Sequence, residues 1–296
     1  MALRFGIVLF GLMCSGLSLN LHAGSIPSNR LPTLKSAAVL VKDMRSGEFL
    51  VEKQAGMAMP IASITKLMTA MVILDAHLDP EELITIQEAD KDTLRKSHSR
   101  LPIGTRLTRR EALLIALMAS ENRAARALGR TFPGGTMALV RAMNEKAASL
   151  RLSGTRFEDA AGLSDGNVSS AKDLSHLMEK ALSYPLICTF STQTDATIQR
   201  GKKKLHFVNT NALVHNSRWH IGLSKTGYIE EAGRCLVMQT QLAHRPVLLV
   251  LLNSTGKNTR LGDANRIRQW MEGTKTSQKT RKRKTRTARH RSSHRT

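Results

Sequence analysis

The feature that most constrains the fold is where strand-like and helix-like stretches fall along the chain. Two strand-like runs come early, 37–43 (Ala-Ala-Val-Leu-Val-Lys-Asp) and 48–52, with Arg45-Ser46-Gly47 between them as a hairpin turn. Three more come late, at 220–224, 234–242 and 247–252. The intervening chain is mostly helical in period. Residues 63–76 place Leu67, Met71 and Leu74 on one face. Thr108 with Glu111 forms a capping box that opens a helix running to Met118. Helices are also predicted at 137–150, after the break Pro133-Gly134-Gly135, and at 170–182, with Asp173 in the first turn. A short strand is expected at 83–86 and a closing helix at 258–271. This order excludes alternating βαβ units. It predicts an α+β fold in which antiparallel strands from both ends share one sheet, packed against helices, beside a helical subdomain.

The two ends set the domain limits. Met-Ala-Leu-Arg, an apolar run from Phe5 to Leu19 and then Asn-Leu-His-Ala read as a secretory signal peptide, 1–23, cut after Ala23. That run is shorter than the ~18 residues of a membrane span. Residues 24–36 are rich in Ser, Pro and Asn and read as a linker. Residues 274–296 hold ten Lys/Arg, no Asp or Glu and almost no apolar residue, so they read as a disordered basic tail. The catalytic or binding domain is then 37–273. Export implies a mature protein outside the cytoplasm, soluble or loosely membrane-associated.

Charge needs care here. The formal net charge of +22 invites a nucleic-acid reading. The tail supplies ten of those charges, aromatics are only 4% of the chain, and export puts nucleic acid in the wrong compartment. The tail instead suits an electrostatic contact with an anionic wall or membrane surface. No His/Cys spacing resembles a metal site, and no cofactor motif is present. Cys188 and Cys235 fit either a disulfide or two buried thiols. Trp219 reads as a core residue in preference to a groove lining.

Three short motifs carry chemistry. Ser63-Ile64-Thr65-Lys66 places a lysine amine one helical turn from a serine hydroxyl, where it can act as the base that a serine nucleophile needs. Alone this is weak: Ser169/Lys172 and Ser254/Lys257 share the spacing, and Ser63 also suits a helix N-cap. Ser120-Glu121-Asn122 can relay a proton and hold a peptide, or be a turn. Lys225-Thr226-Gly227 can line an edge strand that a ligand approaches closely, or be a basic β-turn.

In sequence order, at separations of 57 and 105 residues, the set resembles the penicillin-recognising serine acyltransferases. Longer stretches, from Pro60 to Ala70, Leu117 to Ala125, and Gly162-Leu163 with Asn167 to Asp173, resemble the D-alanyl-D-alanine carboxypeptidase/endopeptidase family. They are most similar to its periplasmic endopeptidase type, with Ser-Glu-Asn as the middle motif. The resemblance implies the β-lactamase/DD-peptidase-like α+β fold. It implies Ser63 as nucleophile and acyl-ester site, Lys66 as general base and Ser120 as proton relay with Lys225. It also implies Asn122, Lys225, Thr226, Gly227 and Tyr228 as substrate-binding residues, with the N–H groups of Ser63 and Tyr228 as oxyanion donors. The implied partners are peptidoglycan peptides, with β-lactams as covalent inhibitors. Carboxypeptidase and β-lactamase readings share the same three motifs, whereas a non-catalytic penicillin-sensing or wall-binding module would keep the fold and lose a motif, and all three motifs are intact here. A β-lactamase would want a deacylation base in the loop that holds Glu158 and Asp159.

Overall fold

The computed structural model describes residues 31–200 and 203–273. The signal peptide assigned to 1–23, residues 24–30 of the linker and the basic tail lie outside the described residues. Strands β1 (Ala38–Asp43) and β2 (Phe49–Lys53) form the expected hairpin. Asp43 accepts the Arg45 and Ser46 N–H groups at its turn, and Gly47 supplies a φ of +77°. The two-residue strand β3 (Met59–Pro60) leads into one turn of 3₁₀ helix, Ala62–Ile64, and then α1 (Thr65–Asp75). Strand β4 (Leu83–Thr85) pairs with β5 (Arg106–Thr108), which runs into α2 (Arg109–Met118). There the Thr108/Glu111 box closes as predicted: Thr108 Oγ1 accepts the Glu111 N–H at 3.1 Å, and Glu111 Oε2 accepts the Thr108 N–H at 2.8 Å.

Helices α3 (Asn122–Arg130) and α4 (Gly135–Ser149) follow. Strand β6 (Val168–Ser169) pairs back on β3, and α5 (Ala171–Ala181) starts at a Ser170 cap. Then come α6 (Pro185–Thr192) and a hairpin of β7 (Asp195–Arg200) and β8 (Lys203–Val208), none of which the periodicity had singled out. The chain closes with β9 (Ile221–Ile229), β10 (Gly233–Leu242), β11 (Arg245–Ser254) and α7 (Thr259–Met271).

The main sheet joins both ends of the chain, in the order β2-β1-β11-β10-β9, antiparallel throughout. Ala38 faces Leu252 and Asp43 faces Val247 across the β1–β11 seam. Side chains alternate between faces along a strand. Leu248, Val250 and Leu252 therefore enter the core shared with the helical body, and Val247, Leu249 and Leu251 pack under α7 with Ala264, Ile267 and Met271. Trp219 is buried in that second core. The segment read as a linker ends inside the fold: Asp263 of α7 accepts the Lys35 and Ser36 N–H groups, at 3.0 and 2.7 Å, and the Ser36 hydroxyl at 2.6 Å.

Helix α1 is the axis of the helical body. Every residue from Thr65 to Ile73 is buried, and α2 through α6 all touch it. The single apolar face seen in the sequence therefore undercounts its burial. Leu67, Met68 and Met71 are fully enclosed, each contributing roughly 1.5–3 kcal/mol of apolar burial. A rigid, buried α1 fixes where its first residues stand, and those residues open the site. Cys188 and Cys235 are both free thiols, and burial pushes Cys235 up to about 11, which makes it unreactive at neutral pH.

Candidate active site

Three segments converge at the N-terminal end of α1. Ser63 sits in the 3₁₀ turn, with Ala62 before it held at φ +48°. Such a conformation costs a non-glycine residue about 1–3 kcal/mol and persists only where surroundings enforce it. Two glycines enforce it here. A Cβ on Gly162 would lie 2.0 Å from the Ala62 carbonyl oxygen and 2.9 Å from the Ser63 nitrogen, and Gly162 itself has φ +76°. A Cβ on Gly227 would lie 2.8 Å from the Ile61 carbonyl oxygen and 3.2 Å from the Ser63 nitrogen. The main chain on both sides thus presses on the turn that carries Ser63.

Lys66 follows one turn later, on α1. Its Nζ reaches the Ser63 Oγ at 2.7 Å, the Asn122 Oδ1 at 2.8 Å and the Ala161 carbonyl at 2.6 Å. An ammonium satisfies all three acceptors with its three donors. A neutral amine keeps its two N–H bonds on Asn122 and Ala161 and turns its lone pair to the Ser63 hydroxyl. Burial pushes the Lys66 ammonium down to about 7, against the opposing pull of the Asp159, Glu121 and Asp92 carboxylates. Near neutral pH both forms are therefore populated, as a base that must take and return a proton requires.

The second wall is the connection between α2 and α3. Ser120 has φ +58°, and Glu121 caps α3 by accepting the Arg123 N–H. Asn122 turns its carbonyl oxygen to Lys66 and donates from Nδ2 to Ser97 Oγ at 2.9 Å. The third wall is β9. The strand runs on to Ile229, so Lys225-Thr226-Gly227 lies within it and the β-turn alternative falls away. As the edge strand of the sheet, β9 offers unpaired main-chain groups to an extended ligand. Lys225 donates to Ser120 Oγ at 2.8 Å, which leaves the Ser120 hydroxyl hydrogen free for another acceptor. Burial, and then the charge on Lys66, hold Lys225 well below the ordinary lysine range. Thr226 Oγ1 donates to Thr210 Oγ1 at 2.7 Å, and the Tyr228 side chain is exposed beside it.

All eight residues singled out in the sequence, Ser63, Lys66, Ser120, Asn122, Lys225, Thr226, Gly227 and Tyr228, therefore belong to these three walls. The sequence reading missed the floor. Asp159 accepts the N–H groups of Ala161 (2.6 Å), Gly162 (2.7 Å), Leu163 (3.0 Å) and Ser164 (2.7 Å), and the Asn167 amide at 2.8 Å. That hub wraps the loop so that the Ala161 carbonyl meets Lys66. An Asp three residues before a Gly is the turn signature that marks it. Glu158 is exposed and engaged by Arg156 and Ser164, so both carboxylates of this loop are committed to neighbours. Arg95 was also missed. It donates from Nε to the Leu163 carbonyl at 3.0 Å and pairs with Glu231 in the β9–β10 turn at 2.7 Å, so it braces loop 91–100 across the floor to the sheet.

Comparison with known proteins agrees with this geometry. A family model described as D-alanyl-D-alanine carboxypeptidase matches residues 26–256. The chain is 44% identical over 241 residues to the D-alanyl-D-alanine endopeptidase of Pseudomonas aeruginosa, and 41% identical over 243 residues to that of Escherichia coli. Each alignment covers 81% of this chain and 78% of the relative. The fold superposes on the crystal structure of the Streptomyces K15 DD-transpeptidase with a TM-score of 0.76 at 25% identity, covering 83% of this chain and all of that one. A family match spanning most of the described fold, on a site where all three motifs meet, establishes that the chain belongs to the D-alanyl-D-alanine carboxypeptidase family of serine peptidases.

Proposed function

We propose that this protein is a serine-type D-alanyl-D-alanine endopeptidase that hydrolyses the peptide cross-links of peptidoglycan through an acyl-enzyme on Ser63. The observation that carries the reading is the contact of the Lys66 amine with Ser63 Oγ at 2.7 Å, with burial lowering that ammonium to about 7. Neutral Lys66 takes the Ser63 proton as Oγ attacks the carbonyl of the D-Ala at the scissile bond. The N–H groups of Ser63 and Tyr228 hold the developing oxyanion; one such donor is typically worth ~10²–10³ in rate. Ser120, with Lys225, carries that proton from Lys66 to the leaving amine, which departs and leaves Lys66 neutral again. Asn122 holds the acyl-side peptide, while Thr226 and Gly227 receive the carboxylate beside the leaving amine. Water, deprotonated by Lys66, then releases the acyl group and restores Ser63. A β-lactam follows the same first step and stays attached.

The preference for cross-links over terminal D-Ala is supported by the two endopeptidase-named relatives; the family description supports trimming of terminal D-Ala as the second reading. Incubation with a purified cross-linked dimer muropeptide and with monomer pentapeptide, with products identified by mass, separates them. Monomers from the dimer support the endopeptidase; loss of D-Ala from the pentapeptide alone supports the carboxypeptidase. The reading places the enzyme in the periplasm after removal of residues 1–23, with no nucleic-acid partner. Its basic tail, 274–296, makes a salt-screened contact with anionic wall or membrane groups. A chain ending at Gly273 then sediments less with sacculi or anionic vesicles at low salt, and equal sedimentation of both chains removes the tether.

A further inference from the structure

Thr226 is the residue that receives the substrate carboxylate, yet its hydroxyl has no hydrogen to spare. A hydroxyl carries one hydrogen, and a carboxylate only accepts. The Thr226 hydrogen is committed elsewhere: Thr226 Oγ1 donates to Thr210 Oγ1 at 2.7 Å. Thr210 in turn donates its own hydrogen to the Met118 carbonyl at the end of α2, at 3.4 Å. The donors thus run from β9 towards α2. A carboxylate that reached Thr226 in this state would meet lone pairs.

The chain of hydroxyls can run the other way at little cost. Its last bond, to Met118, is long for an O–H···O contact and so weak. When the hydroxyl leaves, the Met118 carbonyl keeps the Thr210 N–H at 3.1 Å, so no buried acceptor is orphaned. In the reversed order Thr210 donates to Thr226 Oγ1, and Thr226 donates to the carboxylate. Hydroxyls linked in that order polarise one another, which strengthens the last bond to an anion. The place of Thr210 is also built. Asn209 and Asn211, on either side of it, are buried. Asn209 Nδ2 donates to the Ser191 carbonyl of α6 at 3.0 Å, and Asn211 Nδ2 donates to Ser224 Oγ of β9 at 2.8 Å. Ser191 Oγ accepts the Ser224 N–H at 3.2 Å and closes the clamp. Two buried amides thereby hold the exposed Thr210 against Thr226.

We propose that Thr210 is a positioning residue that reads the substrate carboxylate through Thr226: arrival of the anion reverses the Thr226–Thr210–Met118 hydroxyl chain, and Thr210 becomes the donor that holds the Thr226 hydroxyl on the carboxylate. Each hydroxyl keeps its own hydrogen and only rotates. The inference rests on the serine DD-peptidase reading of Ser63 and extends it to a residue outside the three motifs.

The test uses the full chain, benzylpenicillin and benzylpenicillin methyl ester, in which the carboxylate beside the ring nitrogen is masked. Acylation of Ser63 is followed by intact-protein mass under single-turnover conditions. The readout is the ratio of the acid rate to the ester rate within one protein, so any general loss of activity cancels. The wild type should favour the acid at least about tenfold. Thr210→Val keeps the main-chain N–H and removes the hydroxyl, and should lower that ratio about three- to tenfold. Thr210→Ser restores the hydroxyl and should keep the wild-type ratio. A merely structural role slows both reactions together, so an unchanged ratio in Thr210→Val overturns the inference. An equal fall in Thr210→Ser and Thr210→Val overturns it too, since the methyl group would then be what matters. Equal acid and ester rates in a wild type acylated at Ser63 overturn the inference alone. Absence of any adduct on Ser63 from either compound overturns the DD-peptidase reading, and the role of Thr210 with it.

Discussion

Substituting Gly162 by alanine isolates the part of the site built from main chain alone. The added Cβ would lie 2.0 Å from the Ala62 carbonyl oxygen, 2.4 Å from its carbon and 2.9 Å from the Ser63 nitrogen. An ordinary C···O contact is roughly 3.3 Å, so the 159–164 loop and the Ser63 turn must part by on the order of 1 Å. The positive φ adds about 1–2 kcal/mol of strain for a residue with a Cβ. A shift of about 1 Å in a reacting group costs on the order of 10² in rate. The same shift pulls the Ala161 carbonyl from Lys66, which lies 2.6 Å away. Gly162→Ala should therefore slow acylation of Ser63 by a fluorescent penicillin about 10²-fold or more, measured by stopped flow under single-turnover conditions, and also lower Tm. Gly56→Ala is the control: nothing lies within 4 Å of its added Cβ, and its φ is not positive, so its acylation rate should match wild type. A folded Gly162→Ala protein acylated at the wild-type rate would refute the claim that this close approach sets the nucleophile.

Other outcomes follow from the same contacts. Because Lys66 must be neutral to accept the Ser63 proton and is held near about 7, acylation should rise with pH through that value. Glu121→Gln removes a carboxylate that pulls the Lys66 value upward, so this limb should move to lower pH; a limb that stays or rises contradicts the assignment. Asp90 is buried and accepts two hydrogen bonds from Arg130 at 3.0 Å, so Asp90→Ala should cost ~3 kcal/mol and lower Tm by roughly 6–12 °C in a scan at pH 7. Burial pushes the Asp263 carboxyl upward, but bonds from Ser36, Lys35 and Arg266 outweigh it and hold the group below the ordinary carboxylate value. Its stabilisation is therefore full above that ordinary value and lost as pH falls through the depressed one. The Tm difference between wild type and Asp263→Asn should be largest near neutrality and shrink below about pH 4.

What could be read from the sequence depended on whether the information was local. The Thr108/Glu111 box, the Arg45–Gly47 turn and the strand alternation each need only a few neighbouring residues, and the structure shows all of them. The side chains that meet in the candidate site were legible because three motifs at fixed order constrain one another. The floor was not, because its working group is the Ala161 carbonyl, aimed by Asp159, and a main-chain oxygen has no sequence letter of its own. The 3₁₀ turn at Ser63 was read as plain helix because the pressure that tightens it comes from Gly162 and Gly227, about a hundred residues or more away in the chain. The β7–β8 hairpin hid behind charged outer faces, though Ala196 and Ile198 alternate inward opposite Phe207 and Leu205. Helix α6 is eight residues long and too short for a clear period.

The central claim is that Ser63 is the nucleophile and Lys66 its base. Labelled penicillin, followed by intact-protein mass spectrometry and peptide mapping, tests it most directly. The account predicts one adduct per chain, located on the peptide containing Ser63, absent in Ser63→Ala and slowed about 10²–10⁴-fold in Lys66→Met. An adduct that persists in Ser63→Ala, or maps to Ser120 or another serine, would contradict it.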